Sequence, residues 1–317
     1  MIIPILIVMF NIFLLIFPQI ILNAAREGLL LWFHNVLPSL LPFMIAVNML
    51  VLLGFADFAG FIFAPVMRRA FRLPGAAGFG LFTGITSGYP MGAKTVADLK
   101  RTGKLSVGEA QHLLAFCNNA GPLFILGVVG VGMFQSARVG YILWLTHVLA
   151  ALTVGILFRS KTKISSREDE MEKYRKNRRS NMHSIGKVLG DAVKNAMESI
   201  TIIGGLIIFF SVVVAVFEII ASEAPGSLQN SGFGAVFAGL VEVTNGVRKL
   251  SSLEPSLLTL SAVAFIVAFG GFSVHAQSFH FLAGTGIKNK PYLFAKFLHG
   301  LFAAFFTAVF WRLLVMH

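Results

Sequence analysis

The chain has 317 residues, 56% of them hydrophobic and only 13% charged, with a formal charge of +12 and a single cysteine. Soluble domains carry about a quarter of their residues as charged ones, so this composition, with a mean hydropathy of +0.80, excludes a soluble two-domain protein, a disordered or collagenous chain and a secreted disulfide scaffold. What remains is a polytopic membrane protein, in which the basic surplus marks cytoplasmic loops rather than a nucleic-acid partner.

Residues 1–22 (MIIPILIVMFNIFLLIFPQIIL) are long enough to cross a bilayer core. They lack the charged start of a cleaved signal peptide and run on too far, so a retained span is expected. Residues 24–37 are amphipathic and expected at the interface. Residues 38–56 read as a second span, and residues 57–72, with Arg68, Arg69 and Arg72, as a helix on the membrane surface. Residues 73–88 (LPGAAGFGLFTGITSG) are apolar, short and glycine-rich; Tyr89-Pro90 breaks the run and residues 91–104 restart as a polar helix. Residues 106–119 are helical by pattern, Gly121-Pro122 interrupts them, and residues 123–134 are apolar again. Short apolar pieces interrupted by Gly and Pro predict re-entrant hairpins and broken helices. Residues 138–158 form an ordinary span.

Residues 159–182 hold nine Lys/Arg and four Asp/Glu, a net +5 of the total +12. This is a solvated linker, cytoplasmic by the excess of positive charge. After it come an amphipathic approach (183–199), a strong span (200–221), a short Gly-broken piece (233–250), an apolar run ended by Gly270-Gly271, a polar stretch GFSVHAQSFHFLAGTG (271–286) and a last span (291–316).

The two sides of the linker lie over each other. FTGITSG (82–88) matches LVEVTNG (240–246), with Thr86, Ser87 and Gly88 over Thr244, Asn245 and Gly246; LAFCNNAGP (114–122) matches VAFGGFSVH (267–275). Each side reads as a long span, a short piece ending at Thr-polar-Gly, then a helix broken after Ala-Phe. The expected fold is therefore all-α and polytopic, with two inverted repeats of re-entrant hairpins and broken helices. Residues 1–158 hold the first repeat, 159–182 the linker and 183–317 the second. Paired interrupted segments point to a transporter's binding site.

Four stretches carry chemistry-bearing residues. In SGYPMGAKT, Gly88 stands at the spacing of a phosphate-binding loop before Ala93, Lys94 and Thr95, but the second glycine is displaced to Gly92 and no strand precedes it, so ATPase chemistry is excluded. A helix starting at Pro90 exposes N–H groups that favour an anion, with Lys94 one turn in; the other reading has Lys94 snorkelling to headgroups. Asn118 and Asn119 stand before a Gly-Pro break and suit either polar recognition or capping of that break. Glu242 is a carboxylate inside an apolar piece, a candidate for ion coupling or a partner for Arg248. Ser273, His275, Gln277 and Ser278 form a polar patch that lines a cavity or packs helices. His275 and His280 are about 140° apart on a helix, H-E-x-x-H is absent and Ser273 is not in G-x-S-x-G, so neither a zinc site nor a hydrolase is expected. Cys117 alone builds no metal cluster. No enzyme activity, cofactor or metal is read.

GLLLWFHNVLPSLLPF (28–43), SGYPMGAKTVADL (87–99), FCNNAGPLFILG (116–127) and FGGFSVHAQSF (269–279) resemble the YlbJ/SpoVV-type sporulation integral membrane proteins, within the nucleoside-recognition (Gate) domain group. That group is similar to concentrative nucleoside transporters. The resemblance implies substrate-binding residues Ser87, Gly88, Tyr89, Lys94, Asn118 and Asn119 facing Thr244, Asn245, Ser273, His275 and Gln277, with Glu242 as the ion-coupling residue. It implies a secondary transporter in a bacterial cell membrane moving a small carboxylate, dipicolinate-like, by alternating access with a coupling proton or sodium. A nucleoside transporter and a non-transporting scaffold or gate subunit are the alternatives, and a homo-oligomer is compatible with each.

Overall fold

The computed structural model describes residues 2–159, 184–222 and 232–315, and the basic linker expected at 159–182 falls almost wholly outside them. Among the described residues the chain is helical without strands, an all-α polytopic membrane protein. Four helices among them are long and apolar enough to cross a membrane, or five if one bent pair counts as a span.

That pair is the first departure from expectation. α1 (Ile2–Ile16) and α2 (Pro18–Leu31) meet at 105°, so residues 1–22 are not one straight rod. Pro18 has no N–H to continue the ladder of α1, but it suits the first turn of a new helix. α2 continues through a π-helical turn (Trp32–Val36) into α3 (Leu37–Leu52). The stretch expected at the interface, residues 24–37, lies within this continuous helix, with Gly28 buried on one side and Leu29, Leu30 and Phe33 exposed on the other. α3 is shorter than the span expected over 38–56, because the chain turns at Gly54 with φ of 75°. α4 (Phe55–Val66) and a second π turn (Met67–Phe71) follow.

Next comes a hairpin of α5 (Ala77–Thr86) and α6 (Met91–Arg101), its tip crossing the cis peptide Tyr89–Pro90. α7 (Val107–Cys117) starts with a capping box, Ser106 and Glu109 each satisfying the other's backbone N–H. It stops at Asn118, and a π-helical segment, π3 (Leu123–Met133), continues beyond the break. α8 (Ala137–Leu157) is a full span.

The second side has the same order. α9 (Ile185–Ser222) merges the expected amphipathic approach and span into one 38-residue helix. α10 (Gly232–Val241) and α11 (Val243–Ser251) form a hairpin broken at Glu242, which caps α11 through Asn245 N at 2.8 Å. α12 (Leu257–Phe269) and α13 (Gly271–Leu282) are separated by Gly270, φ 96°, and α14 (Asn289–Val315) closes the bundle.

α9 packs along α2 and α3, while α14 packs along α12 and α8. One apolar cluster surrounds the first hairpin and α7, including Phe79, Met91, Leu113 and Phe116; a second joins π3 and α8 to α11 and α12, including Ile125, Val247 and Leu260. Leu15, Leu258 and Phe305 point outward with most of their surface exposed, as lipid-facing residues do where backbone groups are satisfied inside helices.

A polar cavity between the two hairpins

The hairpin tip 87–90, the start of α11 and the first turns of α13 meet around a cavity of about 400 Å³. Thr86, Ser87, Tyr89, Glu242, Thr244, Ser273 and Gln277 line it, with apolar walls from Leu40, Phe43, Ile203 and Ile207. Five of the residues expected to bind substrate are thus brought together with the expected coupling residue: Ser87, Tyr89, Thr244, Ser273 and Gln277 with Glu242. Ser87 Oγ and Tyr89 Oη are buried with no hydrogen-bond partner among the described residues. Buried polar atoms are nearly always paired, so these two unsatisfied hydroxyls mark the wall of the cavity as unusual. Gln277 Nε2 reaches Ser273 Oγ at 3.3 Å, leaving its carbonyl oxygen to the cavity. Among the described residues Glu242 and His34 are its acidic and basic groups, and no Lys or Arg lines it.

The remaining expected residues are elsewhere, for identifiable reasons. Lys94 faces away from the cavity. Its Nζ is 2.9 Å from Asp98, one turn on along the same helix face, and 3.0 Å from Asn48 Oδ1. It lines a separate pocket of about 380 Å³ with Asn195, Glu198 and His280. The expected anion site at the start of α6 is already filled: Ala93 N–H donates to Asn118 Oδ1 at 3.2 Å. Asn118 is fully buried and donates through Nδ2 to Ser278 Oγ (2.9 Å) and Tyr292 Oη (2.7 Å), so it joins helices rather than meeting solute. Asn119 turns back to Phe116 O at 2.9 Å and caps the break. His275 is buried against Phe269 and Tyr292, with Nδ1 3.3 Å from Tyr292 Oη. Gly88 shapes the tip at φ 84° without lining the cavity. Asn245 opens instead onto an outer vestibule of about 730 Å³. Arg248 pairs with Glu27 at 3.7 Å and bonds Asn245, not Glu242.

Residues not expected at the site are there too. His34 and Thr86 line the cavity. Tyr292, Lys296, His299 and His147 form a buried polar chain behind it. Their signal in the sequence was faint: single polar residues inside ordinary-looking spans at 138–158 and 291–316.

Three cavities among the described residues lie in file along α9. Glu198, Ser199 and Ile202 line the pocket that holds Lys94, Ile203 and Ile207 the central cavity, and Ser211, Ala215 and Glu218 the vestibule. The opposite wall runs in reverse order, from residues 20–34 through 31–43 to 48–52. From Asn195 to Glu218 is about 35 Å at 1.5 Å per residue, comparable to a bilayer's hydrocarbon core. The central cavity and vestibule share Leu31, His34, Val128 and Thr244, so they adjoin. The pocket holding Lys94 shares no lining residue with either.

A family model described as Gate, nucleoside recognition, matches residues 33–160. The sporulation integral membrane protein YlbJ of Bacillus subtilis (strain 168) is 35% identical over 320 residues, covering 93% of this chain and 78% of that relative. No solved structure matches the chain.

Proposed function

The chain belongs to the YlbJ family of sporulation integral membrane proteins, and from that premise we propose that it is a secondary transporter, not an enzyme, moving a small polar solute by alternating access. The file of cavities along α9, closed on the side of Lys94 and continuous with the vestibule on the other, is the observation that carries this reading. A solute held at the centre meets hydroxyls from one hairpin tip and a carboxylate, two hydroxyls and an amide from the other side, as expected where two interrupted segments face each other. The protein sits in a bacterial cell membrane with residues 159–182 on the cytoplasmic side, consistent with their net +5.

Two substrate classes are in play. A small carboxylate of dipicolinate type follows from the resemblance and from the sporulation relative. The cavity itself favours a neutral solute with hydroxyl and amide groups, of nucleoside type: Glu242 lines it while Lys94 does not. A carboxylate beside an ionised Glu242 at low dielectric is repelled.

The test is uptake into proteoliposomes with labelled uridine and dipicolinate as separate probes. One probe should enter faster than in protein-free vesicles, and Glu242→Gln should change its rate by about tenfold or more, as when a charge-assisted hydrogen bond of about 1.5 kcal/mol or more is lost. Rates equal to protein-free vesicles for nucleosides and small carboxylates alike would break the transporter reading and leave a scaffold role.

A further inference from the structure

Behind the cavity, α7 ends at Asn118 and leaves main-chain carbonyls without helical partners. One of them, Asn118 O, accepts from the side-chain nitrogen of a residue 178 positions away, Lys296 Nζ at 2.8 Å. Lys296 is 1% exposed, and no Asp or Glu among the described residues pairs with it. Its second contact is His299 Nδ1 at 2.8 Å. His299 Nε2 faces His147 O at 3.0 Å, an acceptor only, so the ring hydrogen sits on Nε2 and Nδ1 accepts from the lysine. His147 Nε2 accepts from Ala120 N at 3.1 Å, inside the same break, and its Nδ1 is buried without a partner.

The geometry therefore cages a lysine nitrogen with two acceptors and no counter-charge. An amine has two hydrogens for those two acceptors, and an ammonium has a third to spare. Broken helices in transporters use unwound carbonyls and helix C-terminal ends to hold the coupling cation. We propose that Lys296 carries the coupling proton of this transporter, its nitrogen standing at the α7 break where a sodium ion would otherwise be held. The proposal rests on the transport reading above. It moves the coupling role from Glu242, which caps α11 and faces the solute, to a group the solute does not touch.

The route between the two is short. Asn118 holds Lys296 by its carbonyl, the start of α6 by Oδ1, and Ser278 and Tyr292 by Nδ2. Ser278 lies on α13, whose Ser273 and Gln277 line the cavity. Gain of a proton at Nζ changes what Nζ can give to Asn118 O and His299, and that change reaches the cavity wall through contiguous contacts. The titratable groups facing Lys296 are Cys117 from α7, His147 from α8, His275 from α13, and Tyr292 and His299 from its own helix; α12 contributes none.

Wild-type protein, Lys296→Met and Lys296→Arg are compared in proteoliposomes with uridine and dipicolinate. In wild type an imposed pH gradient drives accumulation, up to about tenfold per pH unit for one proton per solute, and replacing sodium by choline changes nothing. In both variants the ratio of gradient-driven accumulation to equilibrium exchange falls to about one. An unchanged ratio in the variants, or accumulation in wild type that follows sodium, overturns the proposal. Absence of all flux in wild type breaks the transport reading instead. A second readout needs no flux: amide hydrogen exchange at residues 118–121, corrected for intrinsic chemistry, responds to pH in wild type and not in Lys296→Arg. The same response in both overturns the role of Lys296.

Discussion

The two helix breaks stand at matching places in the two sides of the chain and are built differently. The break after α7 is a five-residue gap whose polar groups are tied inward: Asn118 to α6, α13 and α14, Asn119 to its own helix end, Ala120 to His147. The break after α12 is two left-handed glycines, Gly270 and Gly271, beside the Ala268 backbone that the His299 ring reaches, and the helix beyond it presents Ser273 and Gln277 to the cavity. The amide-rich break is thus a junction, and the glycine break is the one whose following helix lines the cavity. Residue type alone suggests the reverse, since amides can both donate and accept.

The hairpins differ in the same way. In the first, the cap for α6 comes from Asn118, 25 residues away. In the second, Glu242 caps α11 from within the turn and keeps its place on the cavity. A cap borrowed from another element fixes two elements together, whereas a local cap leaves the hairpin freer to shift.

This contrast can be broken most decisively at Asn118. Asn118→Ala removes three buried side-chain hydrogen bonds and leaves their partners unpaired, at a cost of about 3 kcal/mol or more. The expected result is low yield and a marked fall in the melting temperature in detergent. Wild-type stability with lost flux would instead make Asn118 a ligand residue. Next come the close-packed glycines. A methyl at Gly92 would overlap the carbonyl of Cys117, and one at Gly246 would overlap Gly239, both backbone atoms that cannot turn aside. Gly92→Ala and Gly246→Ala should each destabilise by about 2 kcal/mol, read by thermal unfolding. If Gly246→Ala is silent, the second hairpin is looser than its packing suggests. The smallest effect belongs to Lys94→Ala, which removes an i,i+4 ion pair worth at most about 1 kcal/mol. Uptake should change less than twofold; a collapse of flux for dipicolinate but not uridine would return Lys94 to the solute path.

The fold was legible because apolar pieces too short to span, each ended by Gly or Pro, have few stable arrangements in a bilayer. The order hairpin, broken helix, span is visible twice in the sequence. The 105° turn at Phe17–Pro18 was not, since proline at a helix's first turn and proline inside a span look alike without the packing partner. For the site, Glu242, Ser273 and Gln277 were identified by polarity in apolar surroundings. Lys94, Asn118 and His275 carry the same signal and lie outside the cavity lining, because polarity does not say which way a helix face turns. Lys296 was missed since a lone lysine near a span's start reads as one that reaches for headgroups. Only the partners 178 and 3 residues away distinguish it.

Cys117 is the chain's single thiol and has no exposed surface. Water-soluble thiol reagents should therefore pass over the wild-type chain. A cysteine introduced at Asn245, Thr244 or Asn195, which line the cavities without being buried, can then be labelled alone, without first removing the native residue from the α7 break. The side of the membrane from which each position reacts, with and without solute, would chart the route one residue at a time.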